Sequence, residues 1–283
     1  MLIFRSMIGV GITLLAGLVI LGGIKRIGRV AEKLVPGMAV IYVGSALIVL
    51  FNHPETILPS IEKIFTWAFN PDAALGGVAG FTVWAAMTWG MKRGIFSNEA
   101  GLGSSPMAHA AVKVDEPVRE GLVAMLEPFI DTLLICTMTA LVIIGSGLWM
   151  PEFVDGVRTN LNGGPLTAAA FEHGLPGIGQ ILVTIGVALF GFSTILTWSY
   201  YGEKGIEYLV GDWAKKPYKL FFLAFTFTGA VVNLPLVWAF ADVANALMAV
   251  PNLIGLIFLS GLVGTMAAKY FKEFKAGQHR PTS

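Results

Sequence analysis

The stretch Trp84-Ala-Ala-Met-Thr-Trp-Gly-Met-Lys-Arg-Gly-Ile-Phe-Ser-Asn-Glu-Ala-Gly-Leu-Gly-Ser-Ser-Pro106 decides how this chain folds. It opens as an apolar helix. It then brings Lys92, Arg93, Asn98 and Glu99 into a hydrophobic run, with Gly90, Gly94, Gly101 and Gly103 crowded among them. Its meaning depends on the solvent. Of 283 residues, 55% are hydrophobic and 13% charged, against about a quarter charged in a soluble domain. That excludes a disordered chain, a collagen-like repeat and a disulfide scaffold, and leaves too little polar surface for a soluble enzyme. The single cysteine, Cys136, rules out an internal disulfide and a Cys-rich metal site, and its apolar setting reads as a packed small hydrophobe. A net charge of +1 gives no pull toward nucleic acid. A polytopic, all-α membrane protein remains.

A helix crossing the bilayer core needs about 20 mostly apolar residues. Seven stretches qualify: Ile8–Gly23, Pro36–Phe51, Val78–Ala100, Val118–Met150, Ile178–Tyr201, Leu220–Leu234 and Pro251–Tyr270. Val237–Val250 is short and reads as a separate helix packed at the membrane, or else as an eighth crossing. Sixteen of the 19 basic residues fall in four clusters: Lys25 to Lys33, Lys92 to Arg119, Lys204 to Lys219, and Lys269 to Arg280. Seven crossings place all four clusters on the cytoplasmic side of the cell membrane, with the first residues outside. Eight would put the basic tail outside. Met1 runs almost directly into the first span with no signal-peptide pattern, which reads as the continuation of a longer chain. Pro54–Leu75 and Glu152–His173 are expected to be outer connections with helical patches.

Inside the membrane, polar residues mark function by default. The opening stretch therefore reads as a broken helix at membrane depth, where free backbone groups hold a substrate carboxylate or a cation. The bland alternative ends the span at Lys92 and makes the remainder a cytoplasmic loop. Glu127 and Asp131 share one helical face at i, i+4 beside Pro128. They suit a cation or proton site, or more simply a structural partner for Lys92 or Arg93 or for freed backbone N–H groups. Ser193, Thr194 and Thr197 fall within about one turn of each other. Their hydroxyls could hold an alkali cation, although Ser and Thr in membrane helices mostly bond their own i−4 carbonyls. Asp242 and Asn245 carry no functional assignment, Asp242 being placed at the outer surface. His109 reads as interfacial. No phosphate loop, nucleophile elbow or zinc-protease motif occurs. An intramembrane enzyme built on Glu127, Asp131 and His109 is a competing reading.

The run from Lys92 to His109 resembles the signature of the sodium:alanine symporter family, the alanine or glycine:cation symporters. Ile20 to Pro36, Phe192 to Lys204 and Ala249 to Ile254 resemble further segments of that family. The resemblance implies a leucine-transporter-type fold of two inverted repeats, with the seven spans as core helices 4–10. Residues 1–52 would end the first repeat and 77–270 would form the second. The N-terminal portion, with the other broken helix, would be absent. The implied function is sodium-coupled symport of alanine or glycine by alternating access, not catalysis, with sodium as coupling ion and no other cofactor. A truncated, transport-inactive fragment is the alternative. By resemblance, Trp89, Gly90, Met91, Gly94, Phe96, Ser97 and Asn98 would bind the substrate. Unpaired backbone around Thr88–Gly90 would face it, and Trp89 would limit its size. Ser193, Thr194 and Thr197 would supply sodium oxygens.

Overall fold

The computed structural model describes residues 2–69, 79–150, 152–154, 157–159 and 161–277. Val78, at the start of the expected third span, residues 70–75 of the first outer connection, and Arg280 lie outside them. The described residues are helical apart from loops and a two-stranded hairpin, β1 (Glu152–Val154) against β2 (Val157–Thr159). The chain divides into two compact units, Met1–Gly90 with Leu133–Asn233, and Met91–Thr132 with Leu234–Ser283.

The first unit contains α1 (Leu2–Ile20), α2 (Ile24–Asn52), α3 (Ile57–Phe69) and the first part of α4 (Ala79–Asn98). The other helices of this unit are α8 (Thr137–Ser146), α9 (Gly163–Gly174), α10 (Gly179–Val210) and α11 (Lys215–Val231). With no hydrophobic drive between helices in lipid, close approach requires small residues. α1 buries Gly9, Ala16 and Gly17. A methyl added at Gly9 would lie 3.0 Å from Ala230 of α11. The core joins Tyr42, Ala46, Val49 and Leu50 of α2 to Leu141, Val142, Ala170, Phe171 and Val183. Tyr42 satisfies its buried hydroxyl with Thr139 at 2.7 Å.

The second unit holds the remainder of α4, α5 (Ser105–His109), α6 (Pro117–Ala124), α7 (Leu126–Pro128) and α12 (Leu234–Lys275). α6, α7, a π-helical stretch Phe129–Cys136 and α8 form one helical rod, Pro117–Ser146. The π turn follows Pro128, whose missing N–H disturbs the ladder there. Cys136 is exposed on this stretch, not packed as its apolar setting suggested.

Five helices among the described residues are long and apolar enough to cross a bilayer: Leu2–Ile20, Ile24–Asn52, Pro117–Ser146, Gly179–Val210 and Leu234–Lys275. The expected third and sixth spans form helices but fall outside this set. α11 has 17 residues, about 26 Å against a core of about 30 Å. A larger correction concerns the end of the chain. The separate short helix at Val237–Val250 and the span at Pro251–Tyr270 are one continuous helix of 42 residues that contains Pro251.

Candidate functional site

α4 does not break where its first glycines suggested. Thr88, Trp89 and Gly90 lie within the helix, and the Thr88 hydroxyl donates to the Trp84 carbonyl at 2.7 Å. Gly90 and Gly94 keep ordinary helical φ, so the expectation of unpaired backbone at Thr88–Gly90 is overturned. Nor does the helix stop at Lys92. It continues to Asn98, and the break lies between Asn98 and Ser105. There Glu99 adopts φ +53°, and Gly101 and Gly103 each adopt +79°. A glycine permits positive φ but does not impose it. Here polar contacts do so. The Asn98 side-chain carbonyl accepts the Ala100 N–H at 3.0 Å, and its amide donates to Thr132 at 3.1 Å. Fully buried Ser104 donates to the Glu99 carboxylate at 2.6 Å, bracing a residue held in a sparsely allowed conformation.

The seven expected substrate contacts do not share a face. At about 100° per residue, Met91, Gly94 and Asn98 fall within roughly 60° of each other, while Trp89 and Phe96 lie nearly opposite. Trp89 also sits nine residues before Asn98, about 14 Å along the axis. An alanine-sized ligand cannot touch both. Met91, Gly94, Phe96, Ser97 and Asn98 belong to the second unit with the break, whereas Trp89 and Gly90 belong to the first.

The opposite face of α4 is occupied by α12. Arg93 Nη2 donates to Asp242 at 2.5 Å, and Lys92 Nζ lies 3.4 Å from the same carboxylate. The Arg93 guanidinium is 4.2 Å from the centroid of the Trp238 ring, which packs edge-on to Phe96. Asp242, set aside as an outer-surface residue, is therefore a partner shared by both basic residues. This fixes their depth. Asp242 precedes Lys269 by 27 positions on one continuous helix, roughly 40 Å. Lys92 and Arg93 thus do not lie at the level of the basic end of α12, where the charge pattern had grouped them. Lys269 and Tyr270 instead line a cavity with Glu116, Pro117 and Val118.

Glu127 meets neither Lys92 nor Arg93. It accepts from Ser105 at 2.9 Å and lies 3.8 Å from His109 Nε2. His109 Nδ1 contacts Glu120 at 2.6 Å. His109, Glu120 and Ser105 line a cavity of about 490 Å³ with Pro106, Pro117 and Ala124. His109 is half-buried and doubly engaged, more than an interfacial bystander. Asp131 carries an acidic oxygen within the π-helical stretch.

In the first unit, α10 presents Ser193, Thr194 and Thr197. Ser193 and Thr194 donate to the Phe190 carbonyl at 2.8 and 2.9 Å, and Thr197 donates to the Ser193 carbonyl at 3.0 Å. All three spend their protons on their own helix, which leaves oxygen lone pairs as acceptors. Ser193 also approaches Met38 Sδ at 3.8 Å. Among the described residues there is no cluster of His, Cys, Asp and Glu suited to a metal ion. Any cation here would rest on hydroxyl and carbonyl oxygens, which suit a hard alkali ion. Sequence reading missed Asp242, and Asn252, whose side-chain amide donates to the Gly101 carbonyl at 3.0 Å. Asp242 carried a signal, a carboxylate in an apolar run; Asn252 carried only its place after Pro251.

Comparison with known proteins gives a match to the sodium:alanine symporter family over residues 2–283. The chain is 46% identical over 260 residues to a Methanococcus maripaludis protein named sodium/alanine symporter AgcS, covering 92% of this chain and 55% of that protein. It is 44% identical to an uncharacterized transporter of Haemophilus influenzae, covering 95% and 58%. It is 32% identical to a sodium/proton-dependent alanine carrier protein of a Bacillus species, covering 95% and 62%. The chain thus spans little more than half the length of these curated relatives.

Proposed function

Because this chain belongs to the sodium:alanine symporter family, we propose that it serves sodium-coupled symport of a small neutral amino acid, alanine or glycine, by alternating access across the cell membrane. The observation that carries the reading is the break at Asn98–Ser105, a charged and strained interruption of a helix in an otherwise apolar chain.

The chemistry follows from which end of the helix is exposed at the break. The last turn of α4 presents carbonyls that its own ladder does not use, at the negative end of the helix dipole. That end suits the substrate ammonium, and Asn98 and Ser97 stand beside it. The substrate contacts are therefore Ser97 and Asn98 with the Gly94 face. The cavity lined by Ser105, His109 and Glu120 is the inward route from the break toward the rim at Pro117. Sodium binds at the α10 hydroxyls Ser193, Thr194 and Thr197 and stabilises the conformation that accepts substrate, a population shift. The basic clusters Lys25 to Lys33, Lys113 to Arg119 and Lys204 to Lys219 lie on the cytoplasmic side with the basic end of α12. The chain is best read as core helices 4–10 of a leucine-transporter-type fold, with residues 1–52 closing one repeat and 77–270 forming the other. The part of such a protein that lies outside this match would supply the remaining half of the site.

The test is uptake of radiolabelled alanine by proteoliposomes carrying this protein, with and without an inward sodium gradient. Accumulation that depends on the gradient is expected. Equal uptake in sodium and in potassium overturns the sodium coupling.

A further inference from the structure

The segment Ala249 to Ile254 stood out in the sequence without acquiring a role. Its Asn252 lies against the break. The Asn252 side-chain amide donates to the Gly101 carbonyl at 3.0 Å. A methyl added at Gly103 would meet Asn252 Oδ1 at 2.8 Å and Cγ at 2.9 Å. One at Gly101 would touch Leu253 at 3.5 Å. The two positive-φ glycines of the break are thus held against one turn of α12, by a hydrogen bond at the first and by close packing at the second. That turn begins at Pro251, which lacks an N–H, so the carbonyl four residues earlier loses its helical donor and the ladder is weakest there.

We propose that Asn252 is the positioning residue of the substrate site: it holds the Gly101 carbonyl and the Gly103 turn, and so fixes which backbone groups of the break face the transported amino acid. This rests on the transport reading above. A carbonyl held by an outside donor cannot rotate freely, so the peptide planes between Asn98 and Ser104 stay in one arrangement while α4 and α5 are joined through them. Because the contact sits at the proline of α12, bending of α12 there moves Asn252 and with it the break.

The experiment uses the whole protein in proteoliposomes, with Asn252→Ala, Asn252→Asp and Gly103→Ala, and Gly103→Ala combined with Asn252→Ala. Asn252→Ala should raise KM for alanine about three- to tenfold, the worth of one hydrogen bond, with maximal rate within about twofold and a melting temperature lower by no more than about 4 °C. Asn252→Asp keeps the shape but sets a carboxylate against a carbonyl, and should be worse. Asn252→Ser, which retains a donor, should recover part of the loss and replaces any variant that fails to fold. Gly103→Ala should be less damaging beside Asn252→Ala than alone, since the side chain it strikes is gone.

A second readout needs no transport. In a Cys136→Ser background, maleimide labelling of Ala100→Cys at the exposed side of the break should accelerate at least about threefold when Asn252 becomes Ala. Unchanged labelling overturns the proposal whatever transport does. So does a wild-type KM in Asn252→Ala when the parent transports. A parent that takes up no alanine but shows the labelling change overturns the transport reading and leaves Asn252 as the residue that fixes the break.

Discussion

Replacing Asp242 by Ala removes the shared partner of Lys92 and Arg93, and its cost follows from the geometry. Arg93 makes a short charge-assisted bond of 2.5 Å to Asp242, with side chains 32% and 24% exposed. Lys92, at 3.4 Å and 46% exposed, adds little. Exposed pairs contribute up to about 1 kcal/mol, and breaking a buried pair costs about 3–5 kcal/mol. The Arg93–Asp242 pair lies between, at about 2 kcal/mol of coupling, roughly thirtyfold in the unfolding equilibrium. The Arg93–Trp238 stack adds about 1 kcal/mol. The assay is a double-mutant cycle on Arg93→Ala and Asp242→Ala. SDS unfolding of the purified protein is followed by tryptophan fluorescence, to which Trp238 contributes. Asp242→Ala should cost more than Asp242→Asn, and Asn more than Lys92→Ala. Arg93→Lys keeps the charge but loses the planar stack, and should fall in the middle. A coupling below about 0.5 kcal/mol, or a Lys92→Ala cost equal to that of Arg93→Ala, refutes the assignment of this pair as the clamp between α4 and α12.

Two further outcomes test other parts of the molecule. The backbone N–H groups of Gln180 and Gly177 hold the Glu172 carboxyl below its usual range. With the folded value depressed, its contribution is complete above the unfolded pKa of about 4.3 and is lost as pH falls through the folded value. Glu172→Gln should therefore lower the melting temperature at neutral pH, where the contribution is complete, and converge with the parent as pH falls through the folded value, flattening the acid limb of the profile. For the α10 hydroxyls, Ser193→Ala or Thr194→Val should raise the half-saturating sodium concentration of uptake about tenfold, one lost ligand, with alanine KM at saturating sodium preserved. No change in sodium dependence would leave these hydroxyls with only the helix bonds they already make.

Much of the helical layout was legible, because twenty-residue apolar runs have few other fates. α1, α2 and α10 occupy the expected stretches, and α3 and α9 are the helical patches expected in the outer connections. The expected separation at Pro251 was not found. A proline is tolerated inside an apolar helix where neighbouring groups re-satisfy the freed backbone, and mostly apolar residues flank Pro251 on both sides. The break in α4 was legible as an event but not in its place. Composition offered Gly90, Gly94, Gly101 and Gly103 alike and the resemblance favoured Thr88–Gly90, while the contacts of Asn98, Ser104 and Asn252 lie at Glu99 to Ser104. Those contacts join positions up to 151 residues apart, which no local pattern shows. The pairing of Arg93 with Asp242 was hidden for the same reason, and with it the depth of Lys92 and Arg93.

The central claim is that the transported amino acid binds at the break after Asn98, not at Thr88–Gly90. Single cysteines placed from Trp89 to Ser104 in the Cys136→Ser background, labelled with and without alanine, test it most directly. Sodium-dependent protection by alanine should centre on Gly94 to Ala100, fade by Gly90 and vanish in potassium. Protection centred on Trp89 and Gly90, or identical in sodium and potassium, would contradict it.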